Sequence, residues 1–171
     1  MYPRLIKTIH KYVIEEKLAY LKDEQTEKVY VLNDTILLVL SPEWECMLKV
    51  KESNHLENGR EVSLESVRKI ATQPYQKKDV IKIAETIDLQ CYLIKHFNYR
   101  LNTRKENSVN ATLVDVLVKE LFKDSLLEVS CLEGQEGIIQ IRKYCVEDGI
   151  KVILALKEVG DVRINETDKE G

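Results

Sequence analysis

Apolar positions recur at helical spacing near the start of the chain, where Leu5, Ile6, Ile9, Tyr12 and Val13 share one side of a 3.6-residue repeat and Pro3 stands where a first turn tolerates it. The pattern predicts a helix over residues 3–15. Three short runs follow, Leu18 to Leu21, Val29 to Leu32 and Ile36 to Leu40, with turn-forming residues at 23–25 and 33–34 between them. They read as strands, so the N-terminal order is helix, strand, strand, strand.

The C-terminal third runs through the same order. Leu113, Val114, Leu117, Val118, Leu121 and Phe122 mark a helix after Asn110, a candidate cap, and Leu126 to Leu132, Ile138 to Ile141 and Ile150 to Leu156 read as strands. A shift of 109 residues pairs Leu5 with Val114, Ile9 with Val118, Tyr12 with Leu121, Val13 with Phe122, Leu18 with Leu127, Tyr20 with Val129, Val29 with Ile138 and Leu32 with Ile141. The third strand needs a shift of 114, because the turn around Glu147, Asp148 and Gly149 is longer. The match is one of pattern, since almost no residue is identical.

Between these ends the periods conflict. Ser41, Pro42 and Glu43 resemble a helix start with Trp44, Met47 and Leu48 on one face, yet Cys46, Leu48 and Val50 alternate, so period leaves residues 42–52 as helix or strand. Ser63 opens a helix to about Thr72 that places Leu64, Val67 and Ile70 inward, and Pro74 stops it. Val80, Ile81 and Ile83 predict a strand. For residues 87–101 the alternation of Phe97, Tyr99 and Leu101 favours one or two strands, although Leu89, Tyr92, Leu93 and Phe97 also suit a helix.

These elements predict an α+β fold of two helix-strand-strand-strand halves, with antiparallel sheets and helices on one side. The expected organisation is a single domain over residues 1–171, with the repeat at 3–51 and 95–158, a connecting insert at 52–94 and an acidic flexible tail at 159–171. Apolar residues make up 44% of the 171 and charged residues 32%, with only six glycines and three prolines, which excludes a collagen-like or largely disordered chain. The longest apolar runs, 36–40 and 152–156, fall far short of the roughly 20 residues that cross a bilayer, and residues 1–7 hold no extended apolar stretch, so a cytoplasmic protein without a membrane partner is expected.

Candidate chemistry is sparse. Cys46, Cys91, Cys131 and Cys145 fit neither a zinc site nor a redox dithiol by spacing, and the alternations around Cys91 and Cys131 read as inward strand faces. His10, His55 and His96 lack partners at ligand spacing, and Asp23, Asp34, Asp79 and Asp115 are scattered and read as solvated surface. No phosphate-binding glycine loop or nucleophile elbow is present, so no catalytic residue, metal or cofactor is expected.

Charge is more informative. The formal net charge is −3, yet residues 68–105 carry nine lysines and arginines against three acids. Lys77, Lys78, Arg100, Arg104 and Lys105 lie there with Tyr75 and Tyr99, and basic residues interleaved with aromatics suit single-stranded nucleic acid, charge tracking phosphates and rings stacking on bases. A solvated face with ordinary core aromatics gives the same composition. On the first helix, Arg4, Lys7 and Lys11 form a basic face opposite Leu5, Ile9 and Val13.

The stretch Val109, Asn110, Ala111, Thr112, Leu113, Val114, Asp115, Val116 and Leu117, followed by the runs at 126–132 and 150–156, resembles the last domain of a bacterial DNA sliding clamp. The resemblance covers roughly residues 95–158 and, less well, 3–51. It implies a clamp-like fold in which helices present positive charge toward duplex phosphate, a role that suits Arg4, Lys7 and Lys11. Known clamps join two or three such domains per subunit, so this chain is not expected to close a ring by itself. The functional expectation is a non-catalytic nucleic-acid-associated protein, an accessory of replication or of a mobile element, with DNA or RNA as partner. The alternative is a protein-interaction or regulatory module that binds another protein or its own copy through a sheet edge.

Overall fold

The structure is a computed structural model that describes residues 1–57, 59–101, 108–147 and 149–156. Helix α1 (Pro3–Ile14) leads into strands β1 (Ala19–Asp23), β2 (Lys28–Leu32) and β3 (Ile36–Leu40). Then come α2 (Trp44–Leu48), α3 (Leu64–Thr72), β4 (Tyr75–Lys82), α4 (Thr86–Phe97) and α5 (Ser108–Leu117), which runs on into a π-helical turn (Val118–Phe122). Strands β5 (Leu126–Leu132), β6 (Gln135–Lys143) and β7 (Lys151–Ala155) complete the order. All seven strands form one antiparallel sheet in the order β1-β2-β3-β7-β6-β5-β4, so the fold is α+β.

The two helix-strand-strand-strand segments meet where β3 pairs with β7, and their registers are related. Leu38 stands directly opposite Val152, the residue onto which a shift of 114 carries it. In the outer strands Tyr20 faces Val31 and Val129 faces Ile141. A shift of 109 from β1 to β5 therefore requires 110 from β2 to β6. The structural partner of Val29 is thus Ile139 and that of Val31 is Ile141, rather than the pairs the pattern suggested. Val29, Val31, Ile139 and Ile141 all enter the core beneath α1 and α5, whereas Leu32 and Ile138 face the other way. A one-residue slip exchanges the faces of a strand, and a near-continuous apolar run conceals it.

The core is split by the sheet. On one face Leu5, Ile9 and Val13 of α1, Leu89 and Leu93 of α4, and Leu113, Val114, Leu117 and Phe122 pack over the inward residues of the strands. Trp44 and Leu48 of α2 join them. On the opposite face α3 is the one helix among the described residues, with Val67, Ile70 and Ala71 packed with Leu56 and Val62 against Ala19, Leu21, Tyr30 and Leu37. Helices on one side is thus true of α1, α2, α4 and α5, and α3 is the addition. It belongs to the segment 52–94, which also supplies β4 on the free edge of β5.

Two local expectations are corrected. Residues 86–97 form α4 where strands were favoured: the side chains of Glu85 and Asp88 cap its first turn reciprocally, and Asn98 ends it in the left-handed region at φ 52°. The alternation of Ile87, Leu89, Cys91 and Leu93 misleads, because only Leu89 and Leu93 are buried, four residues apart, while Ile87 is 57% exposed. Cys91 is accordingly exposed on α4 and is no core residue, and Cys131 is half-buried on β5. None of the four cysteines forms a disulfide. Asn110 lies inside α5; its amide accepts from Asn33 Nδ2 (2.8 Å) and donates to Thr35 Oγ1 (2.6 Å), tying α5 to the β2–β3 turn. Residues 44–48 are helical, so the first segment gains no fourth strand; Ser53 instead bridges to Tyr20 and partly covers the β1 edge.

Candidate nucleic-acid interface

The eight basic residues singled out in the sequence fall into separate places. Arg4, Lys7 and Lys11 stand exposed along the outer side of α1, opposite its buried Leu5, Ile9 and Val13. The start of that helix is held by Glu120 on the π turn, whose carboxylate accepts the backbone N–H groups of Arg4 (3.0 Å) and Leu5 (2.8 Å). These are donors that no residue within the helix can satisfy, and a carboxylate there also meets the positive end of the helix dipole. Glu120→Ala should cost about 1 kcal/mol, the usual worth of a helix cap. Urea unfolding checks it, and an unchanged midpoint would show that water replaces the carboxylate without loss.

Lys77 and Lys78 are neighbours on β4 but serve different faces. Lys78 sits at a register shift between Lys77 and Asp79, and its ammonium lies 5.6 Å from the centre of the Phe97 ring on the α4 side. Lys77 pairs in register with Ser130 on the α3 side, where its ammonium lies 5.5 Å from the Tyr144 ring. Arg100 is exposed just past α4. Arg104 and Lys105 lie outside the described residues. The aromatic pair is engaged elsewhere: Tyr75 packs against the core under α3 and donates its hydroxyl to the Ile70 carbonyl (3.0 Å), and Tyr99 packs against the opposite core. Burial raises the pKa of both phenols. As placed, each ring is half-buried against a core.

The sequence reading missed Lys95 and His96. With Lys78, Phe97 and Asn98 they surround a hollow of about 280 Å³ at the C-terminal end of α4. Beside it the His96 ring lies 4.4 Å from that of Tyr92, whose hydroxyl donates to Asp79 (3.1 Å). Burial first, and the Asp79 carboxylate second, push the Tyr92 phenol well above its ordinary pKa. The hollow therefore offers two ammonium groups, an imidazole and an aromatic face, a set that suits a phosphate and a ring next to it. Spacing along one helix could have revealed Lys95 and His96, but only once residues 86–97 were read as helical.

The acids do not converge. Asp23 is buried and paired with Arg68, Asp115 is paired with Lys119 (2.9 Å), Asp79 serves Tyr92, and Asp34 lies 3.4 Å from Arg60. Asp23 thus departs from the expected solvated surface. Among the described residues no group of three or more histidine, cysteine or acidic side chains is placed to hold a metal ion. No helix of the described residues is long and apolar enough to cross a membrane. Set beside known proteins, the chain matches no protein-family model, no curated protein and no solved structure.

Proposed function

We propose that this is a non-catalytic nucleic-acid-associated protein, built like one domain of a sliding clamp, that holds phosphate backbone at the end of the molecule formed by β4 and α4. The observation that carries this reading is the convergence of Lys78, Lys95 and His96 on one hollow beside Phe97, with Arg100 exposed beyond it. Charge supplies affinity for any strand, and Phe97 holds the Lys78 ammonium at the hollow. The clamp-like part of the proposal is supported by the repeated element order and by the pairing of β3 with β7.

The test is the salt dependence of binding to labelled single-stranded and duplex DNA, measured by fluorescence anisotropy from about 50 mM salt upward. Affinity should fall with a log-log slope of about −0.7 per phosphate neutralised on a single strand, or about −0.9 on a duplex. Replacing Lys78, Lys95 and Arg100 by glutamine should flatten that slope with little change in stability, because exposed charges contribute little to folding. Replacing Arg4, Lys7 and Lys11 asks separately whether α1 faces the ligand. Absence of salt-sensitive binding to either form sinks the reading. The interaction-module reading then takes its place, favoured by β4 as an edge strand and by Leu126, 49% exposed, beside the exposed Tyr144.

A further inference from the structure

On the sheet face that carries α3, the apolar positions end at Val39 and Ile153, and the next ones across the sheet are cationic. Lys151 on β7 is the register partner of Val39, and Arg142 on β6 follows the Ile141 and Val152 pair, close enough to Lys151 to act on its charge. Lys28, two residues before Tyr30 on the same face of β2, flanks Lys151 closely enough to act on its charge. Like charges set side by side on a sheet destabilise it, and here three strands contribute one each.

Two acids lie near the group without forming an ion pair with Arg142 or Lys151. Glu128 is the cross-strand partner of Arg142 on β5, yet no ion pair joins them, and its carboxylate accepts the Ser130 hydroxyl at 3.2 Å. Glu43 lies within electrostatic reach of Lys28 and is engaged by Ser41. Neither Arg142 nor Lys151 makes an ion pair among the described residues, and the Nε of Arg142 is buried without a hydrogen-bond partner. A buried donor left unpaired costs free energy.

We infer that Arg142 and Lys151, flanked by Lys28, form a binding site for a phosphate or pyrophosphate group on this sheet face. The guanidinium supplies a planar fork of donors that matches two oxygens of a phosphate, and the adjacent ammonium supplies a point charge. Lys151 has a lowered pKa, first through burial and then through Arg142 and Lys28, so an anion arriving there would restore its full charge. The site uses other residues and another face than the hollow at α4, and it does not rest on the nucleic-acid reading.

The test measures thermal unfolding and calorimetric binding of the full chain with inorganic pyrophosphate, against sodium chloride at the same ionic strength. The wild type should show a saturable rise in Tm that chloride does not reproduce. Arg142→Gln and Lys151→Gln should each weaken pyrophosphate binding about tenfold or more, the worth of one charge-assisted hydrogen bond. Without ligand both variants should unfold at the wild-type temperature or above it, because each relieves like-charge repulsion. The response should survive in the Lys78→Gln, Lys95→Gln protein, which separates this site from the α4 hollow. Competition by oligothymidylate would identify a backbone phosphate as the source, and its failure a free phosphorylated ligand. A Tm response equal to that of chloride, or an undiminished response in Arg142→Gln, overturns the proposal. So does a lower unfolding temperature for Arg142→Gln without ligand, which would make Arg142 a structural partner of Glu128.

Discussion

Asp23→Asn should destabilise the protein by about 3 kcal/mol, the lower end of the cost of breaking a buried ion pair. The Asp23 side chain is fully buried at the end of β1, where both its oxygens are taken by the Arg68 guanidinium of α3 at 2.9 Å. It also accepts the hydroxyls of Thr26 (2.8 Å) and Tyr30 (2.9 Å) and the backbone N–H of Gln25 (3.0 Å). The lower end applies because Arg68 keeps 26% of its side-chain surface and can turn to water. The cluster fastens α3 to the β1–β2 hairpin, so the variant should also loosen the only helix on that face among the described residues.

The effect depends on pH with a definite sign. Arg68 in the first place, and the hydroxyl and backbone donors after it, hold the Asp23 carboxyl well below the usual carboxylate range, and burial with the nearby carboxylate pushes Tyr30 up to about 12. A carboxyl depressed on folding stabilises the protein above its unfolded pKa, 3.8 for an ordinary aspartate, and loses that contribution as pH falls toward the folded value. The stability difference between wild type and Asp23→Asn should therefore be constant from pH 5 to 7, on the order of the value above, and shrink below about pH 4. Urea unfolding across that range checks it. A difference that persists undiminished in acid would mean that packing, and not the charge, does the fastening.

Leu38→Ala should cost about 3–5 kcal/mol. Leu38 is fully buried on β3, directly opposite Val152, at the line where the two helix-strand-strand-strand segments share a ladder. Neighbours from two different segments cannot collapse onto the vacated volume without moving a strand pair, so the cavity persists. The comparison is Leu126→Ala on exposed β5 surface, which should change stability by less than about 0.5 kcal/mol. A loss below about 1 kcal/mol at Leu38 would show that the junction between β3 and β7 is loosely packed.

The sequence by itself determined those elements whose periodicity is free of conflict. Residues Leu5, Ile9 and Val13 for α1, Ser63 with Val67 and Ile70 for α3, and the uniformly apolar run at Ile36 to Leu40 for β3 each state their structure locally, by spacing, cap or burial on both faces. The charge reading was legible only as composition: nine cations in one stretch appear as a segment, whereas β4 sends Lys77 and Lys78 to opposite faces and α4 turns Lys95 and His96 toward Lys78. Tertiary structure decided the rest because the relevant distances lie across strands. Helix α4 competes with an alternating pattern of equal strength until Glu85 and Asp88 cap it and a core accepts Leu89 and Leu93. The slip between β2 and β6 is invisible in strands apolar on both faces. Lys28, Arg142 and Lys151 are far apart along the chain, and only the register of three strands sets their charges together.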